Sequence, residues 1–587
     1  MNLVGLSAGY HDAACCLLVD GVLVAAVEEE RFTRIKHDAR MPVAAFRHCL
    51  AAAGLDITDL DAIAFYETPS RKRERQLWSG VAASDPRIDA SLPERAIREL
   101  LGWEGPIHWS AHHEAHAASA FFASGFEDAA ILVADAVGEW ATTSYGSGRG
   151  ATLETLGQVD FPHSLGLYYS ALTAWLGFAV NDGEYKVMGL APYGEPRYVD
   201  RMRALIESRA DGEFRLNLDY VDFISGTRMY SERLSALLGA SPRAPGAPLT
   251  QMHMDVARSA QLLLEEILLE KARWLHARAG LKDLCLAGGV ALNVVANGRI
   301  AREGPFARVF VPPAPGDSGA CIGAAALAHV ALTGERPRIS PDGRALRSAA
   351  LGPRWSADEV ARLFATTGLP VIDYRQREVE LLEAVVDRLV DGQVIGWFHG
   401  ALEFGPRALG GRSLLADPRN PDMRDRLNRL VKQREGFRPF APSVLEDHAT
   451  AHFHLTEPAP FMAQTCAVHS PLALPAITHV DGSARPQTVN DADLPRFAAL
   501  LDAFHRRTGC PLLVNTSFNV AGEPIVATPA DALSTFAVSA IDALVLEDFL
   551  LDRRGLPDGW AQRVAAWRPV AAAVDATGLR DALYSFV

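Results

Sequence analysis

Residues 13–30, AACCLLVDGVLVAAVEEE, decide the fold because they hold two apolar runs separated by the dipeptide Asp20-Gly21. Asp-Gly between apolar runs is a strong signal for a tight turn, so this stretch predicts a β-hairpin. The apolar run LVGLSAG at residues 3–9 predicts one more buried strand before it. A similar plan recurs at residues 129–148, AAILVADAVGEWATTSYGSG, where a buried strand ends in a polar, glycine-containing turn. This weak internal repeat predicts a duplicated strand–turn–strand unit.

Duplicated units of this kind, followed by helices, are typical of the superfold of actin, sugar kinases and heat-shock proteins, whose two hairpin turns face nucleotide phosphates. Helix patterns at residues 110–125 and 257–280 alternate with strand–turn–helix patterns at 281–298 and 307–332. This alternation predicts an α/β fold with a mainly parallel central sheet. The N-terminal domain is therefore expected to be actin-like.

A basic stretch rich in proline and glycine, at about residues 332–354, indicates an inter-domain linker. We expect a first domain at residues 1–345, a linker at 346–354, a second domain at 355–556, and a C-terminal extension at 557–587 that could be a docking helix. Strands of the second domain are predicted at QVIGWFHG (393–400), PLLVNTSFN (511–519) and DALVLEDFLL (542–551).

Composition excludes several classes of protein. The 587 residues carry 57 basic and 71 acidic side chains, and a net charge of −14 argues against a nucleic-acid partner. No apolar run reaches the roughly 20 residues that span a bilayer, and the N-terminal residues lack a secretory pattern. Seven cysteines without a CxxC pair argue against disulfides and zinc ribbons. We expect a cytoplasmic protein that binds no membrane.

Four residues predict a metal site. His112 and His116 are four residues apart on the predicted helix, so both imidazoles project from one face. Asp135 ends a predicted strand and Asp317 opens a predicted helix, and both positions face the ligand crevice of an α/β fold. A set of two histidines and two aspartates suits Fe(II), Zn or Mn. A helix-surface histidine pair is the alternative, and His113 is expected to be only a neighbour.

Two further groups lie in turns of the N-terminal half. His11 is in the first predicted turn region, where a phosphate or a reacting group would bind, although a surface histidine is equally compatible. Lys36 is a candidate phosphate partner or a solvated charge. Gly288 and Gly289 end a strand just before Asn293, and they allow close approach of the backbone to an anion at a helix start. A glycine pair by itself is most often only a turn.

The C-terminal half has the densest cluster of cations. Arg407 and Arg412 lie in EFGPRALGGRS, and LVKQREGFRPFAPS adds Lys432, Arg434 and Arg438. Guanidinium forks and ammonium charges together suit a polyphosphate, and the interleaved Gly, Pro and Phe argue against a solvated basic face. The segment VNTSFN adds Asn515, Ser517 and Asn519, which share one face of a strand.

Ten motifs in a fixed order resemble one family over nearly the whole chain. They are HDAACCLLVDG, EEERFTRIKH, HHEAH, GEYKVMGLAPYG, LAGGVALN, FVPPAPGDSGACIGAA, FGPRALGGRS, KQREGFRPFAPS, DGSARPQTV and NTSFN. The chain thus resembles the carbamoyltransferases that include nodulation protein U, the cephamycin carbamoyltransferase and the tobramycin carbamoyltransferase. The resemblance implies an N-terminal domain similar to the universal tRNA-threonylcarbamoyl transferase and a C-terminal YrdC-like domain that makes acyl-adenylates.

The same resemblance implies roles for the residues above. His112, His116, Asp135 and Asp317 would hold a divalent metal, with Fe(II) favoured over Zn or Mn, and His11 and Lys36 match active-site positions. Gly288, Gly289 and Asn293 would contact nucleotide in the first domain. In the second domain Arg407, Lys432 and Arg438 match positions that bind the nucleotide. We expect Arg412, Arg485, Asn515, Ser517 and Asn519 to complete the site for ATP and carbamoyl phosphate.

The implied reaction makes carbamoyl-adenylate from carbamoyl phosphate and MgATP, and then transfers the carbamoyl group to a hydroxyl of a small-molecule, secondary-metabolite acceptor, with His11 as general base. A tRNA-modifying enzyme is disfavoured by the negative charge and by the fusion of two halves. A sugar kinase needs no such metal site, and intact ligands argue against an inactive ATP-binding scaffold. The acceptor stays open, and a homodimer is one expectation for the oligomeric state.

Overall fold

A computed structural model describes residues 1–224, 228–432 and 434–565 of the chain. The described residues fall into two compact units. Unit 1 contains Met1–Glu29 and His37–Leu346, and unit 2 contains Glu30–Lys36 and the chain from Arg347 onward. The boundary at Leu346 lies in the basic stretch from which the sequence predicts a linker.

The strands of unit 1 are β1 (Asn2–Ser7), β2 (Ala14–Val19), β3 (Val22–Glu28), β4 (Ala62–Phe65), β5 (Ile107–Trp109), β6 (Asp128–Ala134), β7 (Ala141–Arg149), β8 (Thr152–Asp160), β9 (Ile206–Ser208), β10 (Phe214–Leu216), β11 (Asp283–Ala287) and β12 (Arg308–Phe310). The helices up to residue 346 are α1 (Glu30–Thr33), α2 (Val43–Ala53), α3 (Pro69–Trp78), α4 (Leu92–Ala96), α5 (His112–Ala123), α6 (Leu165–Trp175), α7 (Glu184–Leu190), α8 (Val199–Met202), α9 (Glu232–Leu238), α10 (Gln251–Ala279), α11 (Val294–Glu303) and α12 (Asp317–Thr333).

Unit 1 contains two five-stranded sheets with the same plan. The first has the order β3-β2-β1-β4-β5 and the second the order β8-β7-β6-β11-β12. In each sheet an antiparallel meander of three strands is extended by two parallel strands. The duplication confirms the predicted actin-like domain. The prediction of a mainly parallel sheet is wrong. Each sheet has two antiparallel strand pairings, in its meander, and two parallel pairings, so both sheets are mixed.

The predicted hairpin at residues 13–30 is present as β2 and β3. Asp20 and Gly21 have φ angles of 50° and 77°. Positive φ at both central residues is what a type I′ turn requires, and this turn matches the twist of the flanking strands. The sequence signal and the backbone therefore agree at the stretch from which the fold was predicted.

Helices α5 and α12 pack against each other through a small-residue surface. A Cβ atom on Gly323 of α12 would lie 1.7 Å from the carbonyl oxygen of Ala115 in α5. On the strand side of α12, a Cβ on Gly5 of β1 would lie 2.0 Å from the carbonyl oxygen of Cys321. Backbone is thus in contact with backbone, which only glycine allows at these positions. The close approach brings the N-terminal turns of the two helices together.

Unit 2 is built on one eight-stranded sheet with the order β13-β22-β21-β14-β15-β20-β16-β19 and a small β17–β18 pair. Its strands are β13 (Ile372–Asp373), β14 (Ile395–Phe398), β15 (Arg412–Ala416), β16 (Ala441–Leu445), β17 (Cys466–Ala467), β18 (Ser483–Ala484), β19 (Gln487–Val489), β20 (Leu512–Ser517), β21 (Ala543–Leu546) and β22 (Phe549–Asp552). Its later helices are α13 (Ala357–Thr367), α14 (Glu378–Val390), α15 (Met423–Arg426), α16 (Ala449–His452), α17 (Pro495–Thr508), α18 (Pro529–Val538) and α19 (Trp560–Ala565).

The prediction of a single strand at residues 542–551 is wrong, because β21 and β22 form an antiparallel hairpin there. Glu547 takes a φ of 49° at the turn, and its carboxylate accepts a hydrogen bond from the backbone N–H of Gly400 at 2.9 Å. This contact, distant in sequence, stabilises a turn that the apolar pattern does not reveal. Most of the predicted C-terminal extension, residues 566–587, lies outside the described residues. Within the described ranges, no helix combines the length and the apolar character needed to cross a bilayer.

We expect Gly323→Ala to destabilise unit 1 and to weaken any site that needs both helices. Overpacking of this kind costs about 1–3 kcal/mol, although alanine favours a helix intrinsically. Thermal unfolding of the full chain measures the effect. The control is Gly555→Ala, because a Cβ there meets no heavy atom within 4 Å. Equal stability of both variants would contradict the close packing.

Candidate metal centre and buried cation cluster

The N-terminus of α5 positions the first two candidate ligands. Both carboxylate oxygens of Glu139 accept a hydrogen bond from the backbone N–H of His112 at 3.1 Å, and one also accepts from Thr68 N–H at 2.8 Å. A buried carboxylate therefore stabilises the helix start, where backbone N–H groups otherwise lack partners. His112 and His116 are then one helical turn apart, and both are buried.

Asp135 and Asp317 complete the group from the second sheet and from α12. Asp135 directly follows β6, and its Oδ1 accepts hydrogen bonds from Ala136 N–H at 2.8 Å and Gly289 N–H at 3.0 Å. Its other carboxylate oxygen, Oδ2, faces His112 and His116. Asp317 is the first residue of α12 and is 3% exposed. Both carboxylates are thus aimed by backbone that ends a strand or begins a helix.

The four side chains converge on one point. His112 Nε2 lies 3.1 Å from His116 Nε2 and 3.1 Å from Asp135 Oδ2. His116 Nε2 lies 3.4 Å from both Asp135 Oδ2 and Asp317 Oδ1. One atom from each residue lies within 4.8 Å of the others. Two imidazole nitrogens facing each other beside two carboxylates form a donor set that fits a borderline divalent ion.

Electrostatics in this cluster are dominated by the two carboxylates. Burial alone would lower the pKa of His116, but hydrogen bonds to Asp135 and Asp317 raise this pKa to about 9. The neighbouring histidines in turn hold the pKa of the buried Asp135 carboxyl well below its usual range. The cluster therefore attracts positive charge, whether protons or a metal ion.

His11 belongs to a second hydrogen-bonded group next to these ligands. Its Nδ1 lies 3.0 Å from Asp12 Oδ2, and its Nε2 lies 3.8 Å from Asp317 Oδ2. The other oxygen of Asp12 lies 2.7 Å from His37 Nδ1. Asp12 and His37 both have positive φ, a costly conformation that concentrates at functional sites. Burial would lower the pKa of His11, but Asp317 and Asp12 raise it to about 9.

The residues predicted to bind nucleotide in unit 1 make internal contacts. Gly288 has a φ of 86°, and a Cβ there would lie 2.3 Å from the carbonyl oxygen of Ala134. Asn293 Oδ1 accepts from Ala296 N–H at 3.0 Å and from Gln261 Nε2 at 2.9 Å. These contacts position the loop beside Asp135, and contact of the loop with a nucleotide stays a prediction.

Unit 2 contains a chain of cations whose charges act on one another. Burial and the charge of Arg485 lower the pKa of Arg407 to about 9, and burial and Arg438 lower that of Arg485 to about 10. Arg407 is 8% exposed, and its Nε and Nη1 have no hydrogen-bond partner among the described residues. A buried guanidinium without partners indicates a binding site for an anion.

Lys432 is a further buried cation of this cluster. Its Nζ donates to Ser517 O and Oγ at 2.6 and 3.1 Å, and to Asn519 O and Oδ1 at 3.0 and 2.5 Å. Burial, followed by the charges of Arg434, Arg438 and Lys36, lowers the pKa of Lys432 far below its ordinary value. Ser517 and Asn519 thus lie at the cation cluster, as the VNTSFN motif predicts.

Two other predicted binding residues have structural partners. Arg412 donates to the main-chain carbonyls of His399, Gly411 and Pro353, each at 3.1 Å, and stacks on Phe398. Asn515 donates to Ser443 Oγ at 2.9 Å and Gln487 Oε1 at 3.0 Å. Both side chains stabilise the sheet beside the cluster, and their contact with a ligand stays a prediction.

The sequence did not indicate that residues 30–36 belong to unit 2. Arg31 Nη2 donates to Gly405 O at 2.8 Å, and Arg34 donates to Ile525 O at 2.6 Å and to Pro524 O at 2.8 Å. Gly405 lies two residues before Arg407, and Pro524 lies five residues after Asn519. The segment therefore holds the two loops of the cation cluster, and it ends at Lys36.

Arg75 is the other residue that sequence reasoning missed. It lies in the charge-rich run RKRER at residues 71–75, whose other members are exposed or half-buried, yet it is 2% exposed. Its side chain lies on the inner face of α3, as does that of the buried Gln76. No apolar periodicity marks this face in the sequence, because Lys72 and Gln76 are polar as well.

Comparisons with known proteins match most of the chain to two family models. Residues 2–93 and 101–326 match the family model described as "Carbamoyltransferase N-terminus", and residues 386–553 match "Carbamoyltransferase C-terminus". An uncharacterized protein of Synechocystis sp. is 45% identical over 95% of this chain and 97% of its own length. Nodulation protein NolNO of Sinorhizobium fredii is 39% identical over 95% of this chain and 82% of its own. Among solved structures, HypF of T. kodakarensis matches with 16% identity and a TM-score of 0.33, over 59% of this chain and 50% of its own.

We expect His112→Ala and His116→Ala each to remove one nitrogen ligand and to lower divalent-metal affinity at least 10–100-fold. Elemental analysis of the purified full-length protein, with dialysis against a metal buffer, measures the loss. The control is His113→Ala on the same helix, because His113 Nδ1 contacts Ser144 Oγ at 2.7 Å instead. Absence of any divalent metal from folded wild-type protein, or equal loss in the control, would contradict the assignment.

Proposed function

The chain belongs to the carbamoyltransferase family, and on that premise we propose that it is an ATP-dependent O-carbamoyltransferase. In this proposal unit 2 activates carbamoyl phosphate, and unit 1 transfers the carbamoyl group to a hydroxyl of a small-molecule, secondary-metabolite acceptor. The observation that supports it best is the unpartnered buried guanidinium of Arg407 next to Arg485. A cation cluster in one unit and a carboxylate–histidine cluster in the other provide for two chemically different steps.

Activation brings two polyanions together, and the cations of unit 2 offset their charge. Arg407, Arg485, Arg438 and Lys432 would hold the phosphates of MgATP and carbamoyl phosphate, with Lys36 beside Lys432. Carbamoyl phosphate, ATP and water give carbamoyl-adenylate, phosphate and pyrophosphate. Water first cleaves carbamoyl phosphate into carbamate and phosphate. A carbamate oxygen then bonds to the α-phosphorus of ATP, the bond from that phosphorus to the oxygen bridging it to the β-phosphorus breaks, and pyrophosphate leaves. The product is a carbamate with a good leaving group, which carbamate itself lacks.

Transfer of the carbamoyl group to an alcohol needs a general base and a polarised carbonyl group. It does not need a cluster of cations. A divalent ion held by His112, His116, Asp135 and Asp317, with Fe(II), Zn and Mn all fitting this donor set, would supply Lewis-acid polarisation of a carbonyl. Coordination of Asp317 would also reduce the negative charge that raises the pKa of His11. Neutral His11, held through Nδ1 by Asp12, then accepts the proton of the acceptor hydroxyl at Nε2.

Removal of the unpartnered cation tests the activation site. We expect Arg407→Ala to abolish the pyrophosphate release that depends on carbamoyl phosphate, because each lost charge-assisted contact costs about 1.5–3 kcal/mol. A coupled pyrophosphate assay on the full chain measures this. Arg506→Ala on α17, whose side chain is exposed and pairs with Asp502, is the control. Unchanged release in Arg407→Ala would place activation elsewhere.

Removal of the base tests the transfer site. We expect His11→Asn to retain pyrophosphate release while carbamate formation falls on the order of 10²–10⁴-fold. Mass spectrometry follows the gain of one carbamoyl group across a panel of alcohols, with ATP and carbamoyl phosphate present. His276→Asn on α10 serves as the control. Transfer at the wild-type rate in His11→Asn would exclude this histidine as the base.

A further inference from the structure

Unit 1 contains a buried cation that the residues discussed above do not explain. Arg75, on the inner face of α3, has two guanidinium nitrogens, Nε and Nη1, without a hydrogen-bond partner among the described residues. Buried charged groups in folded proteins are normally paired, because an unpaired charge loses its hydration without compensation. A ligand anion would supply the missing partner.

The nearby carboxylates are already engaged with other groups. Glu67 and Glu139 both act on the charge of Arg75. Glu67 Oε1, however, pairs with Lys72 Nζ at 2.9 Å, and Glu139 accepts the backbone N–H groups of Thr68 and His112. Glu67 is thus paired with Lys72, Glu139 holds the start of α5, and the Nε and Nη1 of Arg75 donate a hydrogen bond to neither carboxylate among the described residues.

Arg75 lines the same cavity as two of the four metal ligands. The wall of this cavity includes Arg75, Tyr10, His112 and Asp317. Gly138, in the turn between β6 and β7, forms another part of the wall. A Cβ on Gly138 would lie 2.9 Å from the His112 ring. A molecule in this space would contact the guanidinium at one side and the metal ligands at the other.

The charges of the cavity favour one class of anion. A divalent ion would neutralise Asp135 and Asp317, Lys72 pairs with Glu67, and Glu139 is held by backbone N–H groups, so Arg75 is the cation of the cavity wall whose hydrogen bonds are left for a ligand. The phosphate of an acyl-adenylate carries one negative charge, and a planar guanidinium fork matches phosphate oxygens. We propose, on the basis of the proposed function, that Arg75 binds the phosphate of carbamoyl-adenylate and stabilises the departing AMP.

The reaction explains why a cation is needed at this place. The acceptor oxygen forms a bond to the carbamoyl carbon, and its proton goes to His11. The bond between that carbon and the phosphate oxygen breaks, and its electron pair stays on AMP. The phosphate thereby gains a second negative charge, which Arg75 stabilises more strongly than the single charge of the ground state.

The test uses full-length protein and the variant Arg75→Met, which removes the charge and keeps an unbranched side chain. We expect carbamate formation to fall on the order of 10²-fold while pyrophosphate release is unchanged. We also expect the melting temperature to change little, because the variant loses a buried guanidinium with two unbonded nitrogens together with its contact over the Phe161 ring. Arg71→Met, exposed on the same helix, is the control. Transfer within threefold of wild type in Arg75→Met would overturn the proposal.

A binding measurement separates phosphate recognition from a structural role. In an Arg407→Ala background, which disables the proposed site of unit 2, AMP with Mn²⁺ should raise the melting temperature, and adenosine should not. Arg75→Met should abolish this difference, and Arg75→Lys, which keeps the charge without the fork, should reduce it and remain folded. Equal stabilisation by AMP with and without Arg75 would overturn the inference. Absence of pyrophosphate release in wild-type protein would instead overturn the proposed function.

Discussion

The contact between Gly323 and the backbone of α5 is the constraint on which the rest of unit 1 depends. Two helices can approach until a Cβ would overlap a carbonyl oxygen only where one of them has no side chain. Because α5 begins with His112 and α12 begins with Asp317, this separation also sets the distance between nitrogen and oxygen ligands. Gly323 packs against Ala115, the residue before His116, so the glycine acts on the metal centre through the position of the helix and not as a ligand.

The charged clusters of the two units have opposite signs. In unit 1, carboxylates and imidazoles are gathered so tightly that the pKa of His116 rises to about 9, and the cluster attracts cations. In unit 2, burial and then the charge of Arg485 lower the pKa of Arg407, and burial and then the charge of Arg438 lower the pKa of Arg485, so an incoming anion would stabilise both arginines. One pocket could not hold both arrangements, because each set of charges would neutralise the other. Separate units let each site keep an excess of one sign.

The sequence predicted those features that depend on local spacing. The Asp20-Gly21 turn, the duplicated sheets and the convergence of His112, His116, Asp135 and Asp317 follow from turn chemistry, strand ends and helical periodicity. Features that depend on long-range backbone contacts were missed. Glu547 turns the chain inside an apolar run because it bonds to Gly400, and Arg31 and Arg34 bind main-chain carbonyls, which no sequence pattern marks. The burial of Arg75 was missed because a run of charged residues is normally solvent-exposed, and only the structure shows which face of α3 packs inward.

The assignment of residues 30–36 to unit 2 has a consequence for how this protein can be encoded. The segment is joined at both ends to chain of unit 1, yet its arginines hold loops that begin more than 350 residues later. Division of the gene at the linker would leave the second product without seven residues of its own fold. A protein divided there would have to recover the hydrogen bonds of Arg31 and Arg34 by association of its two products.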